Sequence, residues 1–450
     1  MRHFPYPSTL QDGNLALALA PALTPTGVTS QPNFFTGTIQ KPQILARGLL
    51  VLGDITTTRY FQYTPEPERD PVISAQGDIL RAECFSACNG VYARLDLLQE
   101  GFNGHIGHGT TNVDIGPKLR TALASVQMAD KLQLNIGTQG LTFSPYSIQP
   151  TGDIALQPAI HQRPVTMPDR WVKALGNAAE IHSHMEAKFS LNATQGQKFI
   201  MSLPPATGKK QTGWLTPLGI SPKPSAQGVY VSGLHRLSAL KRVLTNIEGI
   251  TFYAPPQPGH FMAVVALPFA RLTIALTPEA WQGYSGTGAL LEGLATPNIL
   301  ESAQYIHASL NFGKVTSAQI KQQWPIGHVA EALSLLTVSG KLGYDAHQNA
   351  YFHRELPDDP NRILKDNPRL VGAKKLAPHI TSLGNYQWRV PSRQTDYTVT
   401  LDGEISTCTC TWYLNHQNKL GPCKHILAVH LNQGGKYHAQ PKLARSSTNF

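Results

Sequence analysis

Cys408-Thr-Cys410, followed after twelve residues by Cys423-Lys-His425, is the stretch that most restricts the fold of this chain. In an extended segment such as 405–412, the spacing of Cys408 and Cys410 places both sulfurs on one face. Two ligands from a strand and two from a helix start can close a tetrahedron around Zn²⁺. The stretch therefore predicts one structural zinc ion held by Cys408, Cys410, Cys423 and His425.

The second ligand pair lies at a predicted helix start. Gly421-Pro422 interrupts the chain, and residues 424–429 (Lys-His-Ile-Leu-Ala-Val) have the pattern of a first helical turn. Free N–H groups and the positive end of the helix dipole favour a thiolate at Cys423. The alternative interpretation is a set of reduced, buried thiols beside an ordinary helix-start histidine.

The stretch resembles the SWIM zinc finger, whose pattern is Cys-x-Cys, a variable gap and Cys-x-His. All four ligand positions match, and a hairpin of 397–401 and 405–411, turning at Asp402-Gly403, matches the ββα arrangement of that family. The resemblance implies a C-terminal zinc module.

Composition indicates a soluble, loop-rich globular protein. The chain has 450 residues, 41% of them hydrophobic and 15% charged, with 38 Gly and 34 Pro. Asp12 and Pro21 interrupt the apolar N-terminal run, which argues against a secretory signal. Five cysteines with metal-like clustering indicate a reducing compartment, so we expect a cytoplasmic protein without membrane attachment.

The net charge of +10 is unevenly distributed. Residues 1–150 carry a net charge of −1, residues 151–300 carry +5, and residues 301–450 carry +6. A positive field suits nucleic acid, either DNA or RNA, or an acidic protein partner.

The order of predicted elements indicates a multidomain α+β protein. Its predicted parts are an N-terminal α+β domain (30–145), a middle α+β domain (150–290), a winged-helix-like unit (291–356), a basic connector (357–380), a SWIM zinc finger (381–435) and a flexible tail (436–450). In the middle domain we expect a helix over 169–185, strands over 187–192 and 198–203, and an amphipathic helix over 234–246.

The winged-helix prediction depends on three helices followed by a hairpin. The helices are predicted over 298–310, from 316 and over 327–339, and the hairpin over 340–352. The third helix of this class can enter the DNA major groove. Residues 327–340 contain no Arg or Lys, so protein contact is as good an interpretation as base reading.

The N-terminal third carries a second resemblance. Its motifs are Phe34-Phe35, Arg59-Tyr60-Phe61, 84–88, 91–96 and 110–114. In this order they look like a bacterial family of SWIM-containing proteins whose genes tend to lie beside those for a MoxR-type AAA+ ATPase and a von Willebrand A-domain protein. The resemblance implies these two proteins as partners.

Two further sets of residues are candidate sites. A second metal site could use the Cys-x₃-Cys and His-x₂-His pairs Cys84, Cys88, His105 and His108; the alternative is core thiols and solvated histidines. A binding surface could use Arg94, Asp96, Asn112, Asp114, Lys341, Lys374, Lys375, Lys419 and Lys424, although the polar members before residue 115 are equally suited to satisfying turns.

We find no catalytic signature in the sequence. Thr207-Gly-Lys-Lys210 ends like a P-loop, but Leu203 stands where glycine is needed. Four protein ligands would leave the zinc without an open position for water. The sequence predicts a non-catalytic adaptor that contacts a protein or nucleic acid. One alternative is a DNA-binding regulator that uses the winged helix and zinc finger, and another is an enzyme with an unrecognised site in 30–145.

Overall fold

The structure, a computed structural model, describes residues 9–11, 14–16, 22–24, 27–29, 33–61, 71–113, 115–137, 140–148, 154–156, 160–162, 169–207, 211–256, 259–286, 299–310, 313–324, 328–354, 356, 367–392, 395–402, 405–417 and 421–433. The predicted flexible tail lies outside these residues.

Helices and strands are mixed along the chain. The helices are α1 Pro42–Thr57, α2 Pro117–Ser125, α3 Asp169–Ser183, α4 Ala193–Ser202, α5 Ile299–Leu310, α6 Ser317–Gln323, α7 Val329–Val338, α8 Pro368–Leu376, α9 Thr411–His416 and α10 Lys424–Asn432. Within the described residues, the 3-10 helices are Gln99–Gly101, Leu234–Asn246, Tyr284–Gly286 and Ala377–His379.

The first strands are β1 Thr9–Gln11, β2 Asn14–Ala16, β3 Ala22–Thr24, β4 Gly27–Thr29, β5 Asn33–Ile39, β6 Val72–Gln76, β7 Leu80–Phe85, β8 Val91–Leu97, β9 Phe102–Ile106, β10 His108–Asn112, β11 Lys131–Gly137, β12 Gly140–Ile148, β13 Ile154–Leu156 and β14 Ile160–Gln162. The remaining strands are β15 Glu186–Asn192, β16 Thr212–Thr216, β17 Gly219–Ser221, β18 Val229–Ser232, β19 Gly249–Ala254, β20 Phe261–Leu267, β21 Ala270–Leu276, β22 Lys314–Thr316, β23 Leu342–Asp345, β24 Ala350–His353, β25 Thr381–Gly384, β26 Gln387–Pro391, β27 Asp396–Asp402 and β28 Ile405–Cys408.

The largest sheet joins the two segments that the sequence analysis treats as separate domains. Its eight strands run in the order β10-β6-β7-β8-β21-β20-β19-β15, and every neighbouring pair is antiparallel. At the centre, β8 pairs with β21, so that Leu95 lies opposite Leu272. Every residue of these two strands is buried, because both faces of the sheet are covered. Residues 34–284 thus share one hydrophobic core.

Helix α1 packs between this sheet and a second one. The second sheet has the strand order β13-β12-β11-β5-β9, with β14 added on β12. Leu45 and Leu49 of α1 lie around a small internal cavity with Ile73 of β6 and Leu134 of β11. Pro42 occupies the first turn of α1, where its missing N–H costs nothing.

One predicted strand is wrong. Residues 198–202 belong to helix α4, whose start is fixed by a capping box of Asn192 and Gln195, and Leu203 is its C-cap residue. The predicted helix over 234–246 has the expected bounds, although its hydrogen bonding is of the 3-10 type.

Helices α5, α6 and α7 precede the hairpin of β23 and β24, and β22 joins that hairpin as a third strand in the order β22-β24-β23. This unit has its own apolar cluster, which includes Ala179 of α3. Thr316 caps α6 in a capping box with Gln319, as the cap predicted from the sequence requires.

Gly176 allows α3 to approach α7 closely. A Cβ at this position would lie 2.8 Å from the Thr337 carbonyl oxygen and 2.9 Å from the Val338 Cα. Both are backbone atoms, which cannot rotate away.

We expect Gly176→Ala to destabilise the protein by about 1–2 kcal/mol, because overpacking outweighs the gain of about 1 kcal/mol in helix propensity. Gly372→Ala in α8 is the matched control, since its Cβ would meet only the flexible Lys424 side chain, at 3.3 Å. Urea unfolding should show a lower free energy of unfolding for Gly176→Ala and a higher one for Gly372→Ala, each relative to the unmodified chain. Equal effects would contradict the close packing of α3 against α7.

The zinc-module region forms a four-stranded sheet, β25-β26-β27-β28, with α8 and α10 packed together beside it. Leu370 and Leu427 share a cluster with Val338 at the end of α7, which connects this region to the preceding unit. The predicted connector is therefore partly structured, as helix α8 and the 3-10 helix after it. Among the described helices, none combines the length and apolarity needed to cross a bilayer.

Candidate metal centre

Cys408, Cys410, Cys423 and His425 lie together at the end of β28 and the start of α10. Their ligand atoms all lie within 4.8 Å of one another, and all four residues are buried. The Nδ1 atom of His425 is 3.7 Å from the Cys408 Sγ and 4.0 Å from the Cys423 Sγ. Zn–S bonds of about 2.3 Å imply ligand separations of about 3.5–3.8 Å in a tetrahedron, so small side-chain shifts suffice to close the site.

Local structure places each ligand. Strand β28 ends at Cys408, and Cys410 caps α9 by accepting the Tyr413 backbone N–H at 3.4 Å. The extended segment predicted over 405–412 is therefore shorter, because the Cys410 cap starts a helix that the sequence analysis did not include. Cys423 is the N-cap residue of α10 and His425 lies in its first turn, as predicted.

The electrostatics of the cluster suit a cation. A hydrogen bond with Cys408 lowers the pKa of Cys423 to about 4, and the same interaction raises the pKa of Cys408. Cys423 is thus the first thiol to lose its proton, and a bound cation would favour deprotonation of the others. The donor set, its burial and its spacing fit one structural zinc ion.

Residues outside the ligand set hold the centre in place. The ring of Tyr397 lies on His425 with 4.6 Å between centroids. Arg369 of α8 donates from Nη1 to the Pro422 carbonyl at 2.9 Å, and its guanidinium lies 4.7 Å from the Trp412 ring centroid. Burial lowers the pKa of Arg369, in keeping with its position between Trp412 of α9 and Pro422 before α10.

A groove of about 240 Å³ opens beside the ligands. Its wall combines the aromatic rings of Tyr397 and Trp412, the cations Arg369 and Lys424, and the hydroxyl residue Ser392. We call it the zinc-side groove. Lys424 is exposed, and Lys374 and Lys375 are exposed on the neighbouring helix α8.

The predicted second metal site does not assemble. Cys84 is buried with its sulfur 3.7 Å from the Leu52 carbonyl oxygen, and the Cys88 sulfur lies 3.4 Å from the Ser86 hydroxyl. His105 is exposed on β9 of the other sheet. In the described part of the chain, these side chains form no group of metal-ligand atoms.

Two residues of the predicted binding surface, Arg94 and Asp96, are not on the surface. Arg94 and Asp96 are buried on β8, where the Arg94 Nε lies 2.9 Å from an Asp96 carboxylate oxygen. Asn112 ends β10 opposite Val72, and Lys341 is half-buried. Asp114 and Lys419 lie outside the described residues.

The partners of Arg94 and Asp96 come from distant parts of the chain. Asp345 of β23 lies 3.0 Å from Arg94 and 2.9 Å from Arg271 of β21, and 3.5 Å from Arg81 of β7. Asp345 carries no sequence signal for this role, since its partners are far away along the chain. We call Arg81, Arg94, Asp96, Arg271 and Asp345 the buried charge network.

Helix α7, the predicted recognition helix, is largely buried. Ala330 is its one fully exposed residue, while Ser334 contacts Glu180 of α3 with 3.2 Å between the oxygen atoms. Base reading requires a helix face that is free to enter the major groove. In this arrangement α7 has no such face.

Comparison with known families and structures identifies one module. The SWIM zinc finger family matches residues 397–433, which contain all four ligands. No curated protein matches the chain.

Among solved structures, the chain is similar to the proliferating cellular nuclear antigen of Entamoeba histolytica, at 11% identity and a TM-score of 0.37, over 55% of this chain and 99% of that one. It is also similar to the PCNA2–PCNA3 complex of Sulfolobus tokodaii, at 9% identity and a TM-score of 0.38, over 55% of this chain and 100% of that one.

Proposed function

We propose that this chain is a non-catalytic adaptor whose zinc-stabilised SWIM module binds an acidic segment of a partner protein. The zinc-side groove is the observation that supports this proposal. Arg369 and Lys424 supply positive charge, and Tyr397 and Trp412 supply ring surface beside the metal ligands. Aromatic residues and arginine are the types that most often dominate binding energy at protein interfaces.

The metal has a structural role in this proposal. Three thiolates and one imidazole complete the tetrahedral coordination of zinc and leave no position for substrate or water. The ion fixes the start of α10 next to α9, so the groove is organised before a partner arrives. A pre-organised surface loses less conformational entropy on binding.

The resemblance of the N-terminal motifs to a SWIM-containing family supplies the candidate partners, a MoxR-type AAA+ ATPase and a von Willebrand A-domain protein. The proposal places the complex in the cytoplasm, in keeping with the five free cysteines.

The DNA-regulator alternative receives less support. Its winged-helix-like unit would have to present α7, and that helix packs against α3. The enzyme alternative, with an unrecognised site in 30–145, stays a prediction; two polar residues of that segment, Arg94 and Asp96, are engaged in the buried charge network.

Trp412→Ala is expected to weaken binding of the purified ATPase or A-domain protein by about tenfold or more, as loss of an aromatic hot spot does. Leu414→Ala is the matched control, because Leu414 is 62% exposed on the same helix and is not part of the groove wall. Titration calorimetry would measure both affinities, with zinc content checked in each variant. Equal losses, or no binding of either protein by the unmodified chain, would reject the proposal.

A further inference from the structure

One layer of helices carries a strong excess of positive charge. Helices α1 and α4 pack on one side of the largest sheet, the 3-10 helix Leu234–Asn246 contacts both of them, and α2 packs on α1. Apart from the buried Arg236, they carry six basic residues and one acidic residue, Asp54. The basic residues are Arg47, Lys118, Arg120, Lys198, Lys241 and Arg242. We call this surface the basic helix layer.

The helices on the opposite side of the largest sheet lack this charge excess. Helix α3 carries two basic and two acidic residues, while α5 and α7, which pack with it, each carry one glutamate and neither lysine nor arginine. The two sides of the sheet therefore differ in charge. Helix α8 also carries three basic residues and no acidic one, but it belongs to the zinc-module region.

Asp54 neutralises only part of the layer. Its carboxylate pairs with both Arg120 and Arg242. Among the described residues, no carboxylate lies within ion-pair distance of Arg47, Lys118, Lys198 or Lys241. Arg47 instead donates from Nη1 to two neutral acceptors, the Thr245 hydroxyl and the side-chain amide oxygen Oδ1 of Asn246, each at 2.6 Å. These contacts hold the guanidinium in place without cancelling its charge.

The layer is also concave. A groove of about 390 Å³ lies between α1, α2 and the 3-10 helix, and Arg47, Lys241 and Arg242 are part of its wall. Lys241 is exposed at this groove, and Lys118 of α2 and Lys198 of α4 are exposed elsewhere on the layer. A groove lined by cations on elements of a rigid core concentrates the positive potential where a polyanion can approach.

We propose that the basic helix layer binds the phosphodiester backbone of nucleic acid independently of base sequence. Lysine and arginine side chains on helices are typical contacts for phosphate oxygens, which fix the orientation of a nucleic acid without reading its sequence. The surface lies on α1, α2, α4 and the 3-10 helix, so it is independent of the zinc-side groove. The protein could then hold nucleic acid and an acidic protein segment at the same time.

The test is fluorescence anisotropy of the zinc-loaded full chain with labelled duplexes of about 25 base pairs, in two unrelated sequences. Both duplexes should bind with equal affinity. A plot of the logarithm of the association constant against the logarithm of the salt concentration should have a slope of about −0.9 for each phosphate contacted. A single-stranded probe of the same length would distinguish duplex from single-strand preference.

Two variants, each with two charge reversals, distinguish an effect of the basic helix layer from an effect of the protein's net charge. Lys118→Glu with Lys241→Glu should weaken DNA binding by about tenfold or more. Lys223→Glu with Arg389→Glu changes the net charge equally at exposed positions outside the layer, and should leave affinity within about twofold. Thermal unfolding would confirm that both variants are folded.

Equal losses in the two variants, or no binding by the unmodified chain, would overturn the inference. Competition by polyglutamate as strong as that by DNA would reassign the layer to an acidic protein. Trp412→Ala should leave DNA affinity unchanged, so failure of this inference is distinguishable from failure of the adaptor function.

Discussion

Cys423→Ser is expected to release the zinc ion and unfold the C-terminal module while the core of residues 34–284 stays folded. Cys423 is both a ligand and the N-cap residue of α10, so its loss opens the tetrahedron at the point where the helix begins. Structural zinc contributes about 10–16 kcal/mol in isolated zinc-finger peptides. Losing even about 3 kcal/mol of that would accelerate amide exchange in α10 about 100-fold.

Elemental analysis and hydrogen exchange would measure this effect. The unmodified chain should hold one zinc per molecule, and the variant should hold none. Exchange should increase in α9, α10 and β27–β28, whose apolar cluster includes the cysteines, and should not change in β8 or β21. The zinc-side groove should be lost when the module unfolds, so partner binding through this groove should be lost as well.

Cys88→Ala is the control for a second metal site. Cys88 is buried close to Ser86 and lies far from any described cluster of ligands. Its replacement should leave one zinc per chain. A drop to zero zinc in this variant, or retention of full zinc in Cys423→Ser, would contradict the assignment.

The sequence was sufficient for the metal centre because its information is local. Two short ligand pairs, each at the start or end of an element, predict zinc without any knowledge of the remaining chain. Helix α9 was missed because its cap is Cys410, a residue that the metal pattern had already explained. The Cys410 side chain is both a metal ligand and a helix cap, and the metal-ligand pattern alone does not indicate the second role.

The largest sheet could not be predicted because its central contact is non-local. Nothing in residues 91–97 or 270–276 specifies that β8 pairs with β21, since each is a short segment that could form a strand beside many different partners. The misassignment of 198–203 has a local origin instead. Its apolar residues fit a strand or a helix, and the capping box of Asn192 and Gln195 was the deciding signal.

The buried charge network leads to the second large prediction, because it joins the hairpin of β23 and β24 to the largest sheet. Asp345 of β23 accepts contacts from arginines on three strands of the sheet. Its other carboxylate contacts cap the turn after β23, through the backbone N–H groups of His347 and Gln348. Removing this one carboxylate leaves three buried guanidinium groups to share Asp96 alone.

Asp345→Ala is expected to destabilise the protein by about 3–5 kcal/mol, the usual cost of leaving buried charge uncompensated. Asp396→Ala is the matched control. Asp396 pairs with Arg389 at 3.8 Å, but both side chains are about half exposed, so its loss should cost about 0–1 kcal/mol. Urea unfolding followed by tryptophan fluorescence would give both values, and similar small losses would show that the network does not hold the two parts together.

The pH dependence separates the charge of Asp345 from its packing. Burial alone would raise the pKa of Asp345, but the three guanidinium groups outweigh burial and lower it well below its usual value. A carboxyl with a depressed folded-state pKa stabilises the protein above its unfolded pKa of about 3.9, and this contribution is lost as pH falls towards the folded value. The stability difference between the unmodified chain and Asp345→Ala should therefore be constant near pH 7 and shrink below about pH 4. A stability difference that does not change with pH would assign the loss of stability to the missing side-chain volume. The contact between the hairpin of β23 and β24 and the sheet would then be mainly steric.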